Sequence, residues 1–134
     1  LSRMVHSWVM ARSDRERAWK LFTEALQVDV SDIQEGTTPD GIHLGAMAGT
    51  VDIIQRAHTG IETRGDMLFF NPCLPTELRR LTMCIYYRGH SLEIEIGQGK
   101  LRVYSRTGRA PSIKIGLKSK VHRLKPGDTV EVKL

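Results

Sequence analysis

The sequence predicts an α+β chain in which helices are followed by a small antiparallel β-sandwich. The first observation is the spacing of apolar residues, which is helical before residue 66 and alternates every second residue after it. The second is a series of turn signals, rich in glycine and proline, that divides the later part into short segments. We therefore place the helices in residues 1–65 and the sandwich in residues 66–134.

The beginning of the chain predicts a helical hairpin. Apolar residues recur at helical spacing from Leu1 to Val9, which indicates a first helix over about residues 2–11. The run from Ser13 to Glu16 matches a capping box, in which the Ser13 side chain accepts from the N–H of Glu16. A second helix should therefore begin at Asp14. Because the link between the helices is so short, they should pack antiparallel.

A third helix is expected after the polar, turn-rich stretch QEGTTPDGIHLG. It should cover about residues 44–58 and end near Gly60, since glycine suits a helix C-cap. The segment has few polar side chains, so we expect a buried helix with small residues along one side. The other, apolar side is expected to consist of Leu44, Met47, Ala48, Val51 and Ile54.

Short β-strands are predicted throughout the second part. Met67–Phe70 is an apolar run, and apolar and polar residues then alternate in five further segments. Turn signals such as Arg88-Gly89-His90 separate the segments. Several short alternating strands divided by turns indicate an antiparallel sandwich or barrel, and we predict the sandwich. The five alternating segments are centred on residues 81–87, 92–96, 101–104, 113–117 and 130–134.

Composition argues against several classes of function. The 134 residues are 40% hydrophobic, and no apolar run approaches the ~20 residues of a membrane span. The net charge of +5 comes from scattered basic residues, so we expect neither a nucleic-acid nor a membrane partner. Cys73 and Cys84 are expected to be reduced thiols of a cytoplasmic protein. No histidine and cysteine pattern predicts a metal site, and no other cofactor is expected.

The loop before the third helix is a candidate anion site. Thr37 and Thr38 provide hydroxyl groups, and His43 stands where the helix should begin. A helix N-terminus attracts anions through its unpaired N–H groups and its dipole, so these three residues could hold phosphate. In the alternative interpretation, a threonine stabilises a turn and His43 makes a buried hydrogen bond.

Other ionisable residues are predicted to be structural. Glu35, Asp40 and Asp52 flank the loop, and we interpret them as caps or surface charges because no sugar-lining aromatic residues surround them. His90 is expected in a hairpin turn, and His122 between strands. These residues therefore provide no pair of carboxylates and no nucleophile for catalysis.

Three tyrosines fall in the predicted sandwich, at Tyr86, Tyr87 and Tyr104. On an exposed sheet face they could stack on sugar rings, which would make the domain a carbohydrate-binding module. The other interpretation is that they form cross-strand pairs.

The stretch DIQEGTTPDGIHLGAMAGTVDIIQR, residues 32–56, resembles the motif near the end of the catalytic barrel in glycoside hydrolase family 65. The preceding WVMARSDRERAWKLFTEAL resembles the helical hairpin before that motif. The later LPTELRRLTMCIYYRGHSLEIEI resembles the beginning of the family's C-terminal β domain. The family contains maltose, trehalose and kojibiose phosphorylases and acid trehalases.

The resemblance implies the last helices of an (α/α)6 barrel followed by a C-terminal β-sandwich. It implies an inverting enzyme for α-linked glucose disaccharides, with inorganic phosphate as co-substrate and a homo-oligomeric assembly. The motif histidine of the family helps to hold phosphate, which places that role on His43 and, by neighbouring positions, on Thr37 and Thr38. No residue of this chain matches the family's general acid, so no catalytic residue is expected here.

One departure leaves hydrolysis open as an alternative. Glu35 stands where the family more commonly has glycine, and a carboxylate there would repel phosphate or could activate water. From the residues alone, a non-catalytic carbohydrate-binding or structural β-sandwich module also remains an alternative.

Overall fold

The computed structural model describes residues 2–27, 41–97 and 99–134, with only the backbone of Ser2. Two units make up the chain, Leu1–His58 and Thr59–Leu134. Residues 59–65 were predicted to belong with the helices. They contain instead a short strand that pairs with the following strand of the second unit. Each unit has its own hydrophobic core.

The first unit begins with two antiparallel helices, α1 (Ser2–Met10) and α2 (Arg15–Leu26). The Ser7 hydroxyl donates to the carbonyl oxygen of Ala18 at 2.8 Å, and Arg3 lies 3.7 Å from Glu24. These two contacts show that the helices run antiparallel. The predicted helical hairpin is confirmed.

The predicted capping box is wrong. Asp14 caps α2, because its carboxylate accepts from the backbone N–H of Arg17 at 3.1 Å. Ser13 lies in the turn after α1, and the N–H groups of Ser13 and Asp14 both donate to the carbonyl of Met10. Asp14 has the non-helical backbone of an N-cap, at φ −142° and ψ 84°.

The third helix runs from Leu44 to Asp52 as α3 and continues over Ile53–His58 as a π-helical segment. Its extent is as predicted, and Gly60 has the positive φ of 59° expected after a helix end. The predicted apolar side is wrong, because Leu44 is 75% exposed. The buried residues are instead Ala46, Thr50, Ile53, Ala57 and His58.

Close packing on α1 explains why the small side is buried. A Cβ added at Gly49 would lie 3.1 Å from the Cε atom of Met4. Small residues allow this approach, and larger ones on the same side would separate the helices. Val51 and Leu44 consequently remain exposed among the described residues.

Eight strands lie in the described residues of the second unit. Six of them confirm predicted segments, whereas β1 and β7 were missed because β1 is short and exposed and β7 lacks an apolar alternation. The strands are β1 (Glu62–Arg64), β2 (Met67–Phe70), β3 (Arg80–Tyr87), β4 (His90–Gly97), β5 (Lys100–Ser105), β6 (Ile113–Leu117), β7 (Lys120–Leu124) and β8 (Thr129–Lys133).

The strands form two four-stranded sheets, in the orders β1-β2-β6-β7 and β3-β4-β5-β8. All pairs are antiparallel except β2 with β6, which is parallel. The predicted antiparallel β-sandwich is confirmed, with this one parallel pair as an exception that was not predicted. Strands β3 to β5 lie between β2 and β6 in the chain, and a long connection of this kind is what parallel pairing requires.

The core of the second unit lies between the inner faces of the sheets. Side chains alternate along β4 between this core and the opposite face, so every second residue is buried. The tight link between β3 and β4 is Arg88-Gly89, and both residues have positive φ, 47° and 83°. The fully buried core residues include Phe70, Leu92, Ile94, Leu101, Val103, Ile115 and Leu124.

Candidate functional site

His43 stands at the N-terminus of α3. It is the N-cap residue, with φ −81° and ψ 78°, and its carbonyl accepts from the N–H groups of Ala46 at 2.9 Å and Met47 at 3.1 Å. The imidazole takes no part in capping the helix and is half-buried. The backbone alone therefore sets the beginning of this helix.

The first turn of α3 suits an anion electrostatically. It carries no acidic side chain, so nothing on the helix itself neutralises the positive end of the helix dipole. In this turn the N–H of Leu44 already donates to the carbonyl of Ile42 at 3.0 Å and that of Ala46 to the carbonyl of His43, which leaves the N–H of Gly45 among the described first-turn groups to donate to an anion. The other predicted phosphate ligands, Thr37 and Thr38, lie outside the described residues, as do Glu35 and Asp40.

Asp52, the remaining carboxylate near this loop, forms an ion pair with Arg56 at 3.4 Å. The pair has the i,i+4 spacing of a helix surface, where such pairs contribute little to stability. The interpretation of Asp52 as a surface charge is therefore confirmed. The guanidinium of Arg56 also lies 5.1 Å from the ring centre of Trp8.

His90 was expected in the hairpin turn, and this prediction is wrong. It is the first residue of β4 and is only 1% exposed. Its Nε2 lies 2.8 Å from the carbonyl oxygen of Pro111, and its Nδ1 lies 2.7 Å from the Ser105 hydroxyl. A carbonyl oxygen only accepts, so Nε2 carries a proton and donates to Pro111, while the Ser105 hydroxyl that is hydrogen-bonded to Nδ1 also lies 3.3 Å from the carbonyl oxygen of Arg106. The turn needs only Arg88 and Gly89, which leaves His90 in the strand.

Two sequence models of one family match almost the whole chain. Residues 61–124 match the model described as glycosyl hydrolase family 65, C-terminal domain. Residues 1–52 match the central catalytic domain of the same family. The chain belongs to glycoside hydrolase family 65. The resemblance that the motif around His43 indicated is thereby confirmed.

Three relatives show how this family-65 chain compares with longer proteins. An uncharacterised glycosyl hydrolase of Mycobacterium tuberculosis is 40% identical over 98% of this chain. The trehalose 6-phosphate phosphorylase of Lactococcus lactis is 32% identical over 75% of it, and the kojibiose phosphorylase of Caldanaerobacter subterraneus is 31% identical over 80%. This chain spans 10% of the first relative's length and 14% of the other two.

The fold also has a solved counterpart. A protein from the human microbiome, provisionally named a kojibiose phosphorylase, superimposes on this chain with a TM-score of 0.82. The match covers 100% of this chain and 17% of the other protein, at 21% sequence identity. It supports the arrangement of helices followed by a β-sandwich that the family resemblance implied.

Two further histidines, His58 and His122, lie within regular secondary structure. His58 lies edge-on to the rings of Trp19 and Phe22, at 6.4 Å from each. His122 lies within β7 and not between strands, so that expectation is wrong.

The tyrosines of the second unit do not form cross-strand pairs with one another. Tyr86 lies opposite Ser91, Tyr87 opposite His90, and Tyr104 opposite Glu93. Each tyrosine thus has a cross-strand partner, as the second interpretation expected, but none of these partners is another tyrosine. Tyr86 and Tyr104 share the outer face of their sheet, whereas Tyr87 points to the inner face.

Two absences hold for the described part of the chain. It contains no group of three or more His, Cys, Asp or Glu side chains that could hold a metal ion. It also contains no helix that is both long and apolar enough to cross a membrane.

Proposed function

We propose that this chain is the C-terminal part of an inverting enzyme that cleaves an α-linked glucose disaccharide with inorganic phosphate, releasing β-glucose 1-phosphate. The observation that most supports this proposal is the first turn of α3, which follows His43 and contains no acidic side chain. This helix lies in the segment that matches the family's catalytic domain. Two relatives named as phosphorylases of trehalose 6-phosphate and kojibiose support a phosphate co-substrate.

In this proposal His43 and the first turn of α3 bind the attacking phosphate. The N–H of Gly45 donates to a phosphate oxygen, and the helix dipole stabilises the negative charge. The imidazole of His43 donates a further hydrogen bond, and Thr37 and Thr38 donate through their hydroxyls. These groups position the phosphate for attack on the anomeric carbon from the face opposite the leaving group, as inversion requires.

The general acid belongs, in this proposal, to another segment of a longer enzyme, so the 134-residue chain alone is inactive. The relatives are several times longer, since alignments over 98% and 75% of this chain cover only 10% and 14% of them. The exposed apolar residues Val9, Leu44 and Val51 would pack against the rest of the catalytic domain. We further propose a cytoplasmic enzyme that assembles as a homo-oligomer.

The test is an assay of the longer enzyme beside this chain. Each is given trehalose, maltose or kojibiose, with and without phosphate, and free glucose and β-glucose 1-phosphate are quantified. The proposal expects β-glucose 1-phosphate only from the longer enzyme and only with phosphate. Turnover by this chain alone would overturn its proposed inactivity.

Substitution of His43 tests the assigned role. His43→Ala should raise the KM for phosphate by about tenfold or more, because one hydrogen bond to a charged group contributes roughly 1.5–3 kcal/mol. The KM for the disaccharide should change much less. His6→Ala, on the exposed side of α1, is the matched control. Equal effects on the two KM values would contradict phosphate binding by His43.

Hydrolysis is the second candidate, and Glu35 is the observation that favours it. A carboxylate near the anomeric carbon could activate water, whereas it would repel phosphate. Release of two monosaccharides at the same rate with and without phosphate would replace phosphorolysis by hydrolysis. Loss of that activity in Glu35→Gln would then assign the base.

A further inference from the structure

The outer face of the sheet β3-β4-β5-β8 carries a shallow concavity of about 470 Å³. The residues that line it and face away from the core come from three neighbouring strands. Their side chains are a mixture of carboxylates, guanidiniums, an aromatic ring and a thiol. Those used below are Cys84, Glu93, Glu95, Arg102, Tyr104 and Arg106.

The charges in this concavity balance. Glu93 and Glu95 contribute two negative charges, and Arg102 and Arg106 contribute two positive charges, which sum to zero. Arg106 donates to the Glu93 carboxylate at 2.8 Å, and Arg102 lies directly opposite Glu95 in the β4–β5 register. A charged ligand would therefore meet a like charge beside every opposite one. A neutral ligand with many hydroxyl groups can use both donors and acceptors.

Two tyrosine rings accompany these polar groups. Tyr104 lines the concavity, and Tyr86, which is 78% exposed, lies two residues from Cys84 on the same face. The register places the two tyrosines two strands and two residues apart, so their Cα atoms are about 12 Å from each other. Two rings of one short oligosaccharide can bridge that separation.

We propose that this outer face is a binding site for a neutral oligosaccharide, separate from the phosphate site proposed at α3. The tyrosine rings stack on the apolar faces of the sugar, and the paired carboxylates and guanidiniums hydrogen-bond to its hydroxyls. The exposed ring of Tyr86 is the main stacking surface, since an amphipathic aromatic ring gains most by leaving water on one face. This inference does not depend on phosphorolysis.

A merely solvated outer face is the competing explanation, because antiparallel sheets commonly expose one polar face to water. Such a face explains the charged residues but not the exposed ring of Tyr86 beside a concavity with balanced charges. The other sheet provides an internal comparison, because the large hydrophobic residue exposed on its edge strand β7 is aliphatic, Val121.

The experiment is a titration of the isotope-labelled 134-residue chain with maltotetraose, followed by amide chemical shifts. Shifts are expected in residues 82–86, 93–95 and 102–106, and not around His43. Tyr86→Ala should weaken binding by about five- to tenfold, as loss of one aromatic contact predicts. Tyr86→Phe should bind as the unchanged chain does, because the ring remains. Unchanged core resonances show that each variant is folded.

Val121→Ala on the other sheet is the matched control and should leave binding unchanged. If no amide on this face shifts at about 10 mM maltotetraose, a concentration that would fill a site of roughly millimolar affinity, the proposal is overturned. Equal binding by Tyr86→Ala would also overturn it. Preference of this face for glucose 1-phosphate over maltotetraose would overturn the assignment of a neutral ligand.

Discussion

The buried imidazole of His90 lies 2.7 Å from the hydroxyl of Ser105, and this hydrogen bond joins the beginning of β4 to the end of β5. The other ring nitrogen donates to the carbonyl of Pro111 at 2.8 Å, so one side chain ties three segments of the second unit together. Because the ring is almost inaccessible to water, neither of its partners could easily exchange this hydrogen bond for one to solvent.

His90→Ala is therefore expected to lower the free energy of unfolding of the second unit by about 2–4 kcal/mol. The substitution removes two hydrogen bonds, leaves the Pro111 carbonyl unsatisfied and creates a cavity. Amide hydrogen exchange in β4 and β5 measures the effect. The matched control is His122→Ala, since the Nε2 of His122 has no hydrogen-bond partner among the described residues. Equal losses in the two variants would contradict the role of the His90 network.

The cap of α2 gives a second prediction. Asp14→Ala should destabilise the first unit by about 1 kcal/mol, because the N–H of Arg17 loses its acceptor. Ser13→Ala should change the stability by much less, since the side chain of Ser13 does not cap the helix. Urea unfolding followed by fluorescence measures both, because the two tryptophans, Trp8 and Trp19, lie in this unit. A larger loss for Ser13→Ala would restore the capping box.

Local periodicity predicted the elements of this chain better than their contacts. The helical hairpin and six strands follow from the spacing of apolar residues, which is a property of neighbouring positions. The buried side of α3 could not be predicted in the same way, because it depends on the approach of Met4 to Gly49. The parallel pairing of β2 with β6 likewise depends on residues far apart in the sequence.

In the candidate site, too, features set by neighbouring residues could be predicted, whereas features set by distant residues could not. The sequence placed His43 at the beginning of a helix, and the structure confirms that position because apolar spacing and the preceding turn residues define it locally. The partners of His90 could not be inferred, since Ser105 and Pro111 are 15 and 21 residues away. The shared outer face of Tyr86 and Tyr104 required the strand register, which a single sequence does not specify.

Gly97 allows a prediction about close backbone packing. A Cβ at this position would lie 2.7 Å from the backbone carbonyl oxygen of Arg79, and that oxygen cannot move as a flexible side chain would. Gly97→Ala should therefore cost about 1–3 kcal/mol in the stability of the second unit. Gly108→Ala is the control, because its Cβ would meet only the Cβ atom of Pro126 at 3.9 Å. Thermal unfolding of both variants measures the difference, and equal midpoints would contradict this packing argument.

Glu131 provides a prediction about charge. A hydrogen bond from Lys100, at 2.7 Å, lowers the pKa of the Glu131 carboxyl, and the charge of Lys100 acts in the same direction. Because the pKa is lower in the folded chain than in the unfolded chain, this contribution to stability is present above the unfolded pKa. It is lost as the pH falls through the folded pKa. Carbon-detected NMR titration should show the Glu131 pKa rising toward its usual range in Lys100→Ala.

Lys133→Ala is the control for that titration, because Lys133 lies opposite Lys100 in the β5–β8 register but is not the hydrogen-bond donor to Glu131. It should shift the pKa of Glu131 much less than Lys100→Ala does. Added salt should reduce the small pKa shift that Lys133→Ala causes, because salt screens distant exposed charges. Salt does not remove the direct hydrogen bond from Lys100 to Glu131. Equal shifts in the two variants would mean that the general positive field of this edge, and not the bond from Lys100, lowers the pKa.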